Sequence, residues 1–312
     1  MFAYLVRRLW QMLPTLLGVL LLVFFLFKAF GGDPAEILGG LNATPEQVEQ
    51  IREQLGLNRP VWEQLLIFLK QIATFDWGRS WATQESVASL FATRLPATLT
   101  VMLPILILDA VLAIPLALAV AAVRGSLTDR AIMVVTTVAL SISFLVYVIV
   151  GQWLFAFRLG WFPVQGWSPD LWTNLVTYAP LPVLLAVLVG VSPQTRLYRS
   201  FFLDEIGQDY VRTARAKGLT ERAILLRHVL PNAMIPILTH IGIQLPGIFV
   251  GSFLIEVFFS IPGLGREVLL AVNRSDYPVI QAVTVYLAMI TMAVNLIVDL
   301  LYKAVDPRVV LR

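Results

Sequence analysis

The chain has 312 residues, of which 58% are hydrophobic and only 14% charged, and its mean hydropathy is +0.79. So apolar a chain cannot cover itself with a water-compatible surface, which excludes an ordinary soluble domain. The absence of cysteine excludes disulfide frameworks and thiolate metal sites and leaves the redox compartment unconstrained, while a net charge of +3 in such a chain points to membrane orientation rather than to nucleic acid.

In hydrocarbon every backbone polar group must be satisfied internally, so the spans are helices or a closed barrel, and the long continuous apolar runs exclude the alternating barrel pattern. The first run, Leu9 to Phe30, follows Arg7 and Arg8. It is longer than a secretory h-region of roughly 7–15 residues and lacks an A-x-A cleavage site, so it reads as an uncleaved transmembrane helix. Further spans are expected near Leu99 to Val123, Ala131 to Phe157, Leu175 to Leu197, Ala233 to Phe259 and Val279 to Tyr302. The expectation is an all-α polytopic membrane protein with about six transmembrane helices.

Between the first two spans, residues 31–96 form a long segment with local order of its own. Thr44-Pro45-Glu46-Gln47 supplies an N-cap, a first-turn proline and a capping-box partner ahead of Val48, Ile51 and Leu55. A second amphipathic stretch, Val61 to Ile72, places Val61, Leu65, Phe68, Leu69 and Ile72 on one side. This predicts a small helical cap over the outer mouth, either a docking surface or an insert that only packs on the membrane domain. The chain thus divides into an N-terminal helix (1–30), an extracytoplasmic helical segment (31–96), a transmembrane core (97–303) and a tail (304–312).

Basic residues orient the spans. Arg124, Arg130, Arg196, Arg199, Arg212, Arg215, Lys217, Arg222, Arg227, Lys303, Arg308 and Arg312 join Arg7 and Arg8 on one side, whereas the short loops of the other side hold only Arg158, Arg266 and Arg274. By the positive-inside rule both termini are expected in the cytoplasm.

The segment 199–230 then becomes a cytoplasmic loop organised as helix, break, helix. Tyr210, Val211 and Ala214 alternate with Arg212, Arg215 and Lys217; Gly218 can take the left-handed conformation that ends a helix, and Thr220 can cap the next one. A short helix of small and basic residues, rigidly joined through Leu230-Pro231 to the following span, can pass an external push into the membrane. An ordinary basic orientation loop would share the same charge.

Other polar residues are ambiguous or structural. Asp109 sits inside an apolar run, where a carboxylate either lines an aqueous path or ties helices together. Asp299 and Lys303 are one turn apart and suited to local pairing. His228 and His240 lack the companions that a metal site needs. No phosphate-binding loop, nucleophile elbow or His-Glu-x-x-His motif is present, so the chain is not expected to hydrolyse ATP itself.

The run Tyr210 to Gly218, followed by Leu230-Pro231, resembles the EAA loop of ABC importer permeases. Arg212, Thr213 and Ala214 stand at the triplet positions, and His228 stands where the general pattern has isoleucine. These departures resemble the B-type permease of the peptide and nickel importers, with its Tyr-Val-Arg-Thr-Ala-Arg-Ala-Lys-Gly and Arg-His-x-Leu-Pro-Asn-Ala segments. Gly32-Asp33-Pro34-Ala35, Leu55-Gly56-Leu57-Asn58-Arg59-Pro60, Trp77-Gly78-Arg79-Ser80, Asp276-Tyr277-Pro278 and Asp306-Pro307-Arg308 are similar to the same family. One departure is Ser143, where family members commonly carry proline before Phe144, which leaves open whether the third span kinks there.

The resemblance implies a type I ABC importer transmembrane fold in a bacterial inner membrane. It implies half of a translocation path for di- or oligopeptides, with nickel or another small solute as the alternative; a secondary transporter or channel is a more distant one. Implied partners are a second permease, two cytoplasmic ATPases, an extracytoplasmic binding protein and membrane lipid, with no cofactor. Tyr210, Arg212, Thr213, Ala214, Arg215, Lys217, Gly218, Leu219, Thr220, Leu230 and Pro231 become the implied ATPase-coupling residues, and Asp109 a candidate for lining the path.

Overall fold

The computed structural model describes residues 2–40 and 43–305, with side chains described for 7–40 and 43–300. The side chain of Lys303, the end of the tail and the Asp306-Pro307-Arg308 motif lie outside the described residues. Among those described there is no strand, only an isolated bridge between Arg79 and Ser86.

The first helix, α1 (Phe2–Phe30), runs straight into the polar segment. There, Asp33 caps α2 (Pro34–Gly39) by accepting from Ala35 N, and Thr44 and Gln47 close a full capping box on α3 (Pro45–Gln54), as the sequence spacing predicts. Helix α4 (Val61–Ala73) follows. It lies along α1 instead of over it: Lys28 Nζ donates to Gln64 Oε1 at 3.0 Å, the Phe24 and Phe68 rings are 5.9 Å apart, and Leu20 packs with Ile72.

The core is built on α5 (Val87–Ala122). It continues through α6 (Leu127–Ser141) and α7 (Phe144–Gly151), the latter extended by a π-helical turn, Gln152–Arg158. These two helices meet at an angle of 88° across Ile142 and Ser143. The bend forms without proline: Ser143 takes an extended backbone ahead of α7, and Tyr147 Oη donates to the Ala139 carbonyl at 3.0 Å. That carbonyl, which also accepts from Ile142 N at 3.4 Å, thereby gains a second donor from across the hinge. The short α8 (Leu171–Thr173) and a π-helical Asn174–Tyr178 lead into α9 (Pro180–Ile206), which packs along α5 more extensively than any other pair of elements.

After α9 come α10 (Asp209–Ala216), α11 (Glu221–Ile224), a π-helical turn (Leu225–Val229) and α12 (Leu230–Val250). Gly251, at φ +79°, ends α12. Then α13 (Phe253–Phe258) and α14 (Leu264–Asn273) form a folded-back pair, and α15 (Tyr277–Val305) returns beside α1. Among the described residues five helices are long and apolar enough to cross a membrane, and the bent α6–α7 pair makes six if counted as one span. Spans four and five outrun their expected limits, because α9 continues to Ile206 and the fifth begins at Glu221.

Of the polar residues, Asp299 accepts from Arg8 Nη2 at 2.6 Å. This joins α1 to α15, and the expected local pairing with Lys303 lies outside the described residues. Glu256, within the expected fifth span of Ala233 to Phe259, lies beyond the Gly251 break in α13 and is 2% exposed.

Candidate functional site

Helix α10 is two turns long, too short to hold itself in water, so its position rests on what it packs against. Val211 and Ala214 are buried one turn apart, in a cluster with Ala117 and Ala121 of α5, Tyr198 and Phe202 of α9, and Ile224, Val229 and Ala233 of the chain that follows. The alanines of α5 allow close approach, and Tyr198 and Phe202, both fully buried, fill the space beneath. Burying Val211 alone contributes about 1.5–3 kcal/mol to the seat.

The remaining face is bare. Arg212, Thr213, Arg215, Ala216, Lys217, Gly218 and Thr220 are exposed, and Leu219 and Tyr210 are 41% and 37% exposed. Tyr210 Oη donates to Glu205 at 2.5 Å. Burial, reinforced by that carboxylate, pushes the phenol up to about 12, so it remains a neutral donor tying α10 to the end of α9.

Gly218 ends α10 with φ +77°, and a Cβ there would meet nothing within 4 Å. The glycine is therefore required by the left-handed backbone and not by crowding. Thr220 Oγ1 accepts from Ala223 N at 3.3 Å, as expected of an N-cap. Across this turn Arg215 donates to Glu221 through Nε at 2.6 Å and Nη2 at 3.1 Å. The carboxylate holds the guanidinium pKa above its ordinary value, and the two-point contact braces α10 against α11.

Leu230-Pro231 is not a hinge. The helix is continuous from Glu221 to Val250, and the proline is accommodated by the widened Leu225–Val229 turn, in which Leu230 N donates to the Leu225 carbonyl. A proline ring inside an α-helix would collide with the carbonyl four residues back, and a π turn opens that space. The joint between α10's platform and α12 is thus a stiff rod. Sequence reasoning missed the π turn within this rigid joint and also the Arg215–Glu221 brace, for which the only signal was opposite charge on either side of Gly218.

Asp109 sits elsewhere, deep between α5 and α9. It is 5% exposed, its Oδ2 accepts from Gln194 Nε2 at 3.2 Å, and its carboxylate lies on the backbone of Gly190, where a Cβ would overlap it. Gln194 in turn accepts from Tyr198 Oη at 3.3 Å, and Tyr198 Oη is 3.3 Å from His240 Nδ1. A polar chain therefore links α5, α9 and α12 directly above the α10 seat. Among the described residues no group of three or more His, Cys, Asp or Glu could hold a metal ion.

The sequence of this chain is not isolated. Residues 113–311, which carry the loop and its platform, match the binding-protein-dependent transport system inner membrane component family. Residues 1–102 match the N-terminal domain described for the same membrane components. The chain belongs to this transport permease family. Similar relatives include a peptide transport system permease protein of Brucella abortus (strain 2308), 36% identical over 311 residues. The glutathione transport system permease protein GsiC of Salmonella typhi is 34% identical over 309, and the dipeptide transport system permease protein DppB of Alkalihalophilus pseudofirmus is 31% identical over 332. Each match covers 99% of both chains. The permease is a multi-pass inner-membrane protein and one component of a larger transport complex.

Proposed function

We propose that this permease forms half of the translocation path of an ATP-driven importer of peptides, and that α10 with the Gly218 turn is the surface on which an ATPase subunit docks. The peptide class is supported by the relatives, whose named substrates are peptide, dipeptide and glutathione, itself a tripeptide. The docking role is carried by one observation. A two-turn helix has its apolar side sunk among Tyr198 and Phe202, its basic side bare, and a rigid path through α11 into α12.

In this reading ATP binding closes two ATPase subunits. The movement enters at α10 and tilts α12, and the cavity shared with a second permease opens toward an extracytoplasmic binding protein. ATP can shift this equilibrium only if it binds the closed arrangement better than the open one. The loop end of the bundle and both termini are then cytoplasmic.

The test uses two substitutions of one exposed residue. Gly218→Asn keeps a residue that tolerates left-handed backbone and should retain ATPase copurification. Gly218→Trp adds bulk to the docking face and should lose ATPase copurification and uptake while still inserting in the membrane. Normal ATPase assembly and transport by Gly218→Trp would remove α10 as the docking surface.

A further inference from the structure

The bare second face of α4 is unexplained by transport or coupling. Phe68 and Leu69 are half-buried around Ile72, which is 9% exposed, yet Val61, Trp62 and Leu66 are 45%, 61% and 56% exposed. An amphipathic cap would be polar there. A helix apolar on two faces is one whose surroundings are apolar on both.

The register between α4 and α1 says what those surroundings are. Gln64 meets Lys28, Phe68 meets Phe24 and Ile72 meets Leu20, so the two helices run antiparallel in steps of four residues. At 1.5 Å per residue, the end of α4 lies about 12 Å further along α1 than Lys28. That displacement is toward the middle of a helix that crosses the membrane. The same register sets Leu66 at the level of Leu26, which is 46% exposed beside Phe25 at 50% and Leu22 at 62%. These α1 residues are the lipid-facing side of a span, and α4 extends that side laterally.

The polar groups fit the same placement. Lys28 Nζ and Gln64 pair at the upper end of the contact. At that level Phe27 and Trp81 flank the Tyr277 ring, with centroids 5.4 and 5.7 Å away, the aromatic and basic company found at a membrane–water boundary. Glu63 and Lys70 fall on one narrow strip of α4, and a lysine stem is long enough to snorkel from below that boundary.

We infer that α4 is sunk in the lipid leaflet beside α1, with Trp62 and Leu66 against acyl chains and the Lys28–Gln64 pair at headgroup level. The occupant of the bare face is lipid, and the segment between the first two spans is in part a membrane-embedded wedge. This assignment is independent of which solute the permease carries.

The chain has no cysteine, so single cysteines can be labelled without background. The full-length permease carrying Trp62→Cys, Leu66→Cys or, as control, Glu53→Cys on the exposed side of α3 is placed in proteoliposomes with a charged maleimide on both faces. Residues 62 and 66 should react at least about tenfold more slowly than 53, the equivalent of burying one large side chain. A bimane attached at 66 should be quenched by nitroxide on lipid acyl chains. Reaction as fast as the control would overturn the assignment. So would slow reaction without lipid quenching, which would show another polypeptide on this face. Should Leu66→Cys fail to accumulate, Trp62→Cys carries the same two readouts.

Discussion

Thr98 and Glu256 lie 158 positions apart and share a hydrogen bond of 2.9 Å that does the work of a missing helix cap. Helix α14 begins after Gly263, which has no side chain to offer its first turn. Thr98 Oγ1 accepts from Leu264 N at 2.8 Å and Glu256 Oε2 from Arg266 N at 2.7 Å. Removing the carboxylate in Glu256→Ala leaves the Arg266 N–H and the Thr98 hydroxyl unsatisfied in a buried site, a loss of about 2–3 kcal/mol. Thermal unfolding in detergent should show a lower midpoint for it, and a smaller drop for Glu256→Gln, which keeps the shape and one acceptor. A Cβ on Gly263 would come within 2.5 Å of a carboxylate oxygen, so Gly263→Ala should fall by a similar amount to Glu256→Ala. A midpoint unchanged in Glu256→Ala would show that the fold-back pair α13–α14 is held by other contacts.

The Asp109 carboxylate and Gly190 make the second prediction, because sequence alone left path lining and helix tying equally open. Contact with the Gly190 backbone favours the tie. Gly190→Ala should force α5 and α9 apart and destabilise the permease by about 1–3 kcal/mol, the usual range for overpacking. Asp109→Asn keeps the acceptor for Gln194 and should leave both stability and uptake near those of the parent. If uptake collapsed in a stable Asp109→Asn protein, the charge itself would be required, and the path-lining reading would be restored.

What could be read from the sequence follows from how local each cause is. Apolar runs of span length, the Thr44–Gln47 capping box and the Gly218–Thr220 turn depend on neighbours a few residues away. The capping box and the turn appear in the structure at those residues, and the apolar runs fall in helical segments whose limits differ from the expected ones. The Thr98–Glu256 cap, the Asp109–Gln194–Tyr198 chain and the course of α4 along α1 depend on partners tens to hundreds of positions distant, which periodicity does not encode. The π turn under the Pro231 joint was not legible for a different reason. A proline four residues after Arg227 signals a broken helix, and only the register of the surrounding packing shows that a π turn absorbs it.

The linker between α1 and α4 should respond to acid. Arg52 hydrogen-bonds Asp33 and holds its carboxyl below the ordinary value of 3.8, with Ala35 N adding to the effect. Glu49 is lowered in the same way, by Asn58 and then Arg52, from 4.5. A carboxyl whose pKa is depressed by folding contributes stability that is fully present above its ordinary value. That stability is lost as pH falls through the depressed one. The α2–α3 contact should therefore be intact at pH 6 and loosen below about pH 4, where the unfolded carboxyls begin to bind protons first. Limited proteolysis across residues 31–60 reads this directly. In Arg52→Gln the same cleavage should already occur near neutral pH, and pH-independent protection would show that the ion pair does not hold the segment.

The Arg215–Glu221 brace separates transmission of force from docking. Its side chains are 43% and 61% exposed, and a pair so open to water adds roughly 0–1 kcal/mol to stability. Yet it spans the one non-helical turn between α10 and the rod into α12, where a two-point guanidinium contact fixes direction as well as distance. Glu221→Lys should therefore leave the unfolding midpoint unchanged while lowering solute uptake per ATP hydrolysed in the assembled transporter. If bracing is what matters, the reciprocal Arg215→Glu/Glu221→Arg protein restores a two-point pair across the same turn, and its coupling should recover in part. If Arg215 instead grips the ATPase directly, the swap moves the cation off α10, and coupling should be as poor as in Arg215→Glu alone. Full coupling in every variant would mean that the seat of Val211 and Ala214 on Tyr198 and Phe202 carries the movement without the brace.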